Sequence, residues 1–159
     1  MIRVGILTVS TLGAAGKRQD GSGDAIRAWA EGRGYQVAAR DLVPDDTAAV
    51  ARRLAEWADG GAVDLVLTTG GTGLTPTDRT PEATRAVLER EAPGIAEYLR
   101  AQTWGAFPRA ALARGVAGVR GRTLIVNLPG STSGVTDYLA VLERVVEHAV
   151  DLVRGKGGH

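Results

Sequence analysis

The segment Thr68-Thr69-Gly70-Gly71-Thr72-Gly73-Leu74-Thr75-Pro76-Thr77-Asp78-Arg79-Thr80-Pro81-Glu82 gathers the most unusual chemistry in the chain. Three glycines in four positions let the backbone approach a bound group closely and turn several N–H groups into one concavity, a good seat for phosphate oxygens. Thr69 and Thr72 add hydroxyl donors, and Asp78 adds a carboxylate. Thr80 as a capping hydroxyl, Pro81 at the first helical position and Glu82 in the first turn start a helix whose positive dipole end lies nearby. Neither common nucleotide loop is present. There is no GxxxxGK[ST], and Pro76 stands where the third glycine of GxGxxG belongs.

A second acidic site follows in Val43-Pro44-Asp45-Asp46. Asp46 is the simplest cap for the next helix, which leaves Asp45 to face the same ligand as Asp78. Paired carboxylates beside a phosphate cradle suit Mg²⁺, which takes one or two carboxylates and fills its shell with water and substrate phosphates. Two helix-capping aspartates are the competing reading. Near the end, Asn127-Leu128-Pro129-Gly130-Ser131-Thr132-Ser133-Gly134 supplies turn amides and the Ser131 hydroxyl as a second anion seat, although Pro-Gly-Ser is also ordinary turn chemistry. Ser10 and Thr11 open a long loop, Leu12 to Gly21, carrying Lys17, Arg18 and Asp20, whose cations either meet phosphates or are solvated.

These segments need a scaffold, and the hydrophobic pattern provides one. Ile2–Val9, Tyr35–Leu42, Val63–Thr68 and Thr123–Asn127 read as buried strands, with a short extended piece at Val116–Val119. Between them, helices are expected from Ser22 to Arg33, with Ser22 as cap and Gly34 as stop, and from Asp46 or Thr47 to Gly60-Gly61. A third runs from Thr80 to about Glu91, and a further turn carries Ile95, Tyr98 and Leu99. One long C-terminal helix bears Val135, Leu139, Leu142, Val146, Ala149 and Val153. Alternation of this kind predicts an α/β fold: a single-domain three-layer sandwich over residues 1–154, with a mostly parallel central sheet and helices on both faces. Residues 155–159 are expected to form a polar, mobile tail. Ligands in such sheets bind outside the carboxyl ends of the strands, where every unusual segment falls. Trp29 and Trp57 read as core, Trp104 and Phe107 as core or subunit interface, and His148 as exposed.

Composition narrows the function classes. The 159 residues carry 19 Lys+Arg and 18 Asp+Glu, so no one-signed field asks for nucleic acid or an acidic membrane. Absence of cysteine excludes disulfides and thiolate metal sites, and two histidines, one terminal, disfavour a His-based centre. No apolar run is long enough to cross a membrane, and the first residues lack a signal peptide's features. A cytoplasmic protein is expected.

Through TTGGTGLTPTDRTPEAT, VPDD and NLPGST, the chain resembles the MogA/MoaB family of molybdenum-cofactor biosynthesis proteins over nearly its whole length. The resemblance implies an α/β fold, a homotrimer and binding of the pterin dithiolene molybdopterin. For MogA-like members it implies adenylylation of molybdopterin by Mg-ATP with release of pyrophosphate. The alternative it carries is a MoaB-like molybdopterin-binding or carrier protein without that activity. Position by position, Gly70, Gly71, Thr72 and Gly73 match the family's binding loop, Asp45 and Asp78 its two essential aspartates, and Pro129, Gly130 and Ser131 its late anion-binding turn. Asp20-Gly21-Ser22-Gly23 stands for the family's D-T-S-G. Thr11 replaces the aspartate that usually follows Ser10, and Ala113 stands where some homologues have serine before Arg114. Residues 94 to 121 are the expected trimer contact.

Overall fold

The structure, a computed structural model, describes residues 1–157. Gly158 and His159 of the expected tail lie outside the described residues. Among the described residues there are six strands: β1 (Arg3–Val9), β2 (Gln36–Val43), β3 (Leu65–Thr69), β4 (Arg90–Glu91), β5 (Ala117–Arg120) and β6 (Thr123–Leu128). Seven α-helices accompany them there: α1 (Thr11–Ala14), α2 (Gly21–Gly32), α3 (Thr47–Asp59), α4 (Thr80–Val87), α5 (Pro93–Trp104), α6 (Thr132–Leu142) and α7 (Val146–Val153).

The strands form one sheet in the order β2-β1-β3-β6-β5-β4. β2, β1, β3 and β6 are parallel, while β5 runs antiparallel to β6 and β4 antiparallel to β5. Alternating side chains divide the core in two, because successive residues of a strand point to opposite faces. Ile6, Leu65, Leu67, Leu124 and Val126 pack with Ile26, Leu99, Val135, Leu139, Leu142 and Val146 of α2, α5, α6 and α7. Leu7, Val9, Val66 and Ile125 pack under Val50, Leu54, Ala83 and Val87 of α3 and α4. The result is the expected three-layer α/β sandwich.

The chain leaves β1 for β2 on one side and returns to β3 on the other, so the strand order reverses between β1 and β3. A crevice at the carboxyl ends of the strands forms at such a reversal.

Several local expectations need correction. The cap of α2 is Asp20, whose carboxylate accepts from Gly23 N, rather than Ser22. Thr80 does not cap α4: it lies inside the helix after Arg79, which makes no side-chain cap bond. That helix stops at Val87, because residues 90 and 91 pair with β5. The expected single turn near Ile95 is a helix from Pro93 to Trp104, started by a proline at its first position. The long C-terminal helix is interrupted between Leu142 and Val146. Asp46 caps α3 through Ala48 N as expected, and Gly34 and Gly61 end α2 and α3 in the left-handed conformation. Trp29 and Trp57 are half-buried against the two core clusters, whereas Trp104 and Phe107 are about half exposed.

A candidate phosphate-binding cleft at the sheet's reversal point

A polar cleft of about 650 Å³ opens above the carboxyl ends of β1, β2, β3 and β6. Ser10, Asp20, Asp45, Thr69, Gly70, Gly71, Asp78, Gly130 and Ser131 all line it, so four segments far apart in sequence meet there. A smaller cleft of about 300 Å³ lies behind the glycine loop, lined by Thr72, Gly73, Arg109, Leu112 and Ala113 together with Gly71, Asp78 and Gly130. Thr72 and Gly73 therefore face the smaller cleft. Pro129 lines neither; it borders a small void beside Tyr138.

The glycines are dictated by close approach. Gly70 has φ +98° and Gly71 φ +69°, both in the left-handed region. A Cβ on Gly70 would collide with the Val9 carbonyl, and one on Gly71 with the Thr80 hydroxyl. A Cβ on Gly130 would stand 3.2 Å from Gly70 Cα, so the loops after β3 and β6 touch. Thr69 Oγ1 donates to the Pro129 carbonyl at 2.6 Å and ties the same loops together. Below them Asn127 is fully used: it donates to the hydroxyls of Thr68 and Thr84 and accepts from Val116 N at 3.0 Å.

The two carboxylates are held alike. Asp45 Oδ2 accepts from Thr11 N at 3.2 Å and Thr11 Oγ1 at 3.0 Å. Asp78 Oδ2 accepts from Thr75 N at 3.0 Å. Among the described residues neither Oδ1 has a hydrogen-bond partner, and a Cβ on Gly71 would lie 3.6 Å from Asp45 Oδ1. Each aspartate is thus anchored by one oxygen and keeps the other. Asp20 is different: Thr8 Oγ1, Gly23 N and Arg40 Nη2 occupy both of its oxygens, so its place in the cleft is as a helix cap. Ser10 and Ser131 also cap helices, accepting from Gly13 N and Gly134 N.

The cleft is built for anions. First-turn residues of α2 (Gly21, Ser22) and of α6 (Thr132) line it, and the first N–H groups of a helix lack intrahelical partners. A Cβ on Gly21 would come within 3.2 Å of Thr132 Oγ1, so the two helix starts converge. Arg18, exposed and without an ion pair among the described residues, lines the same cleft. The buried Thr80 hydroxyl against Gly71 has no partner among the described residues.

No group of three or more histidines and acids converges among the described residues. Two half-free carboxylates beside N–H-rich turns nevertheless fit Mg²⁺, which needs only one or two protein carboxylates when phosphates and water complete its shell. Asp45 and Asp78 are the residues that would hold it.

Sequence reasoning pairs these aspartates but misses what positions them. Thr11, in sequence only a departure from a pattern, is the anchor of Asp45. Arg114 braces the loop bearing Asp78, and its partner is Glu82. In sequence Glu82 is only a first-turn carboxylate, since no local spacing links residues 32 positions apart.

Known proteins resemble the chain in sequence and in fold. A family profile described as "Probable molybdopterin binding domain" matches residues 5–148. A molybdopterin adenylyltransferase from Haemophilus influenzae is 37% identical over 87% of this chain and 72% of its own length. The fly protein cinnamon, described as a molybdenum cofactor synthesis protein, is 37% identical over 96% of this chain, which spans only 26% of that protein. Among solved structures, the molybdopterin biosynthesis enzyme MoaB from Thermus thermophilus superposes with a TM-score of 0.93 at 54% identity, covering 98% of each chain. The molybdopterin biosynthesis Mog protein from Mycobacterium ulcerans gives 0.89 at 44% identity, over 96% of this chain and 99% of that one. A profile match over most of the chain, together with relatives of 37% and 54% identity, shows that the chain belongs to the MogA/MoaB family of molybdopterin biosynthesis proteins.

Proposed function

We propose that the protein is a molybdopterin adenylyltransferase, joining molybdopterin to the adenylyl group of ATP. A terminal phosphate oxygen of molybdopterin attacks the α-phosphorus of ATP, a new P–O bond forms, the bond to the β-phosphate breaks, and pyrophosphate leaves. The observation that carries the reading is the pair Asp45 and Asp78, each anchored by Oδ2 with Oδ1 unused among the described residues, both lining the one cleft.

Transfer of this kind asks the protein mainly for positioning and charge stabilisation. The turns at Gly70–Gly71 and Gly130–Ser131 seat phosphate oxygens on backbone N–H groups, and the starts of α2 and α6 place positive dipole ends beside them. Arg18 adds a full positive charge at the rim. Bound Mg²⁺ would supply charge neutralisation for the phosphates, held by Asp78 and Asp45. The relatives' names support the substrates ATP and molybdopterin.

A second reading is a MoaB-like protein that binds molybdopterin without adenylyl transfer; the chain is 54% identical to a solved MoaB structure, itself described as a biosynthesis enzyme. Pyrophosphate release from ATP, Mg²⁺ and molybdopterin separates the two: release supports the transferase, and pterin binding without ATP consumption supports the carrier. The same family reading proposes a cytoplasmic homotrimer in which residues 94 to 121 contribute to the contact. Among the described residues no helix is long and apolar enough to cross a membrane.

A further inference from the structure

Arg114 does not line the main cleft, yet it grips the turn that carries Asp78. Its Nε donates to the Gly73 carbonyl at 2.8 Å and its Nη2 to the Asp78 carbonyl at 2.8 Å. Its own backbone N–H donates to the Thr72 carbonyl at 2.8 Å. One guanidinium therefore spans the start and the end of the segment 73–78. The same group is fixed from behind by Glu82 in the first turn of α4, with Nη1 to Oε2 at 2.7 Å and Nη2 to Oε1 at 3.2 Å. The hydrogen bond from Arg114 holds the Glu82 carboxyl below its usual range, and Glu82 in turn raises Arg114. Both stay charged at neutral pH.

The turn they hold is tight. Asp78 N donates to the Thr75 carbonyl, Thr75 N returns a bond to Asp78 Oδ2, and a Cβ on Gly73 would stand 2.8 Å from that oxygen. Small displacements of the segment therefore move the carboxylate itself. A planar fork is needed to reach two carbonyls and a carboxylate at once, and a lysine ammonium on its flexible stem does not reproduce it.

We propose that Arg114, locked by Glu82, is a positioning residue that sets where Asp78 presents its free oxygen to the metal–phosphate group of the substrate complex. The proposal rests on the adenylyl-transfer reading. Outer groups that orient metal-binding carboxylates commonly cost about 10–100-fold in metal affinity when changed.

The test uses the full chain with Arg114→Lys and Glu82→Gln. Amide hydrogen exchange is followed across 73–80, Mn²⁺ is titrated in the presence of ATP by water-proton relaxation, and steady-state rates are measured. The expected result for Arg114→Lys is faster exchange at Thr75 and Asp78 than in wild type, with β1 and β3 unchanged. Half-saturation by Mn²⁺ rises about tenfold or more, and kcat falls more than KM for molybdopterin changes. Glu82→Gln moves the same readouts in the same direction by less, and it carries the comparison should Arg114→Lys fail to fold. Unchanged exchange across 73–80 overturns the proposal. So does faster exchange with wild-type Mn²⁺ half-saturation, which would make Arg114 a structural brace only. If wild type neither binds Mn²⁺ with ATP nor releases pyrophosphate, the adenylyl-transfer reading falls and with it the functional role, while the exchange data still judge the brace.

Discussion

Thr11 and Asp45 are joined three times. The Thr11 hydroxyl donates to Asp45 Oδ2 at 3.0 Å and accepts from Asp45 N at 3.1 Å, while Thr11 N donates to the same carboxylate oxygen at 3.2 Å. The residue that departs from the family's usual Ser-Asp pair thus orients the neighbouring strand's aspartate. Thr11→Val removes the hydroxyl at nearly constant shape and should raise the Mg²⁺ concentration needed for half-maximal pyrophosphate release several-fold. Thr11→Ser, which keeps the hydroxyl, should stay near wild type. Equal Mg²⁺ dependence in all three proteins would deny Thr11 this role.

Gly70 sits at a tight point of the sheet's reversal. Its φ of +98° and the Val9 carbonyl behind it leave no room for a methyl group. Gly70→Ala should cost about 1–3 kcal/mol in urea unfolding through backbone strain alone, with the collision adding to that. Gly94→Ala, at the start of α5 with nothing within 4 Å of the added carbon, should be neutral or slightly stabilising. A Gly70→Ala midpoint equal to wild type would mean that the loop can relax away from β1.

At the opposite end of the sheet, stability depends on pH. Asp64 is 3% exposed and accepts from Arg3 N, Nε and Nη2, with Arg154 also close. Burial pushes its carboxyl up, but the hydrogen bonds and charges of Arg3 and Arg154 outweigh that and hold it below the usual range. A depressed folded-state pKa stabilises the fold above the unfolded value of about 4 and loses that contribution as pH falls through the lower folded value. Asp64→Asn should therefore be less stable than wild type at pH 7, by about 1–3 kcal/mol, with the gap closing below about pH 4. A gap independent of pH would show that packing, not charge, dominates at this site.

Most of the frame is readable from the sequence, and the unread parts share a cause. Buried strands such as Leu65–Thr69 announce themselves by short, mostly apolar runs, and Asp46 by standing where a helix must be capped. Asp45 and Asp78 can be paired because each follows a strand that the topology places near the other. Short or long-range features carry no such period. The four-residue α1 is too brief to show one, and the interruption after Leu142 falls within a stripe that continues at helical spacing. The ties that hold Asp20 as the cap of α2 are hidden in sequence because its partners Thr8 and Arg40 lie on β1 and β2.

Leu74, Trp104, Phe107 and Leu112 are each about half exposed or more, and three of them fall within the expected contact region 94 to 121. The proposed homotrimer would cover such side chains, and identical subunits usually close by rotation. Sedimentation should give about three times the chain mass of 16.5 kDa, and Trp104→Ala should weaken that assembly. A monomer at micromolar concentration would contradict the trimer, whereas an intact Trp104→Ala trimer would move the contact elsewhere.

On the proposed function, Asp78 serves adenylyl transfer. The decisive measurement is pyrophosphate release from ATP, Mg²⁺ and molybdopterin, comparing wild type with Asp78→Ala alongside molybdopterin binding. Release by wild type and none by Asp78→Ala, with pterin binding retained in both, is the predicted result. Full adenylylation by Asp78→Ala, or pterin binding by wild type with no pyrophosphate released, would contradict it.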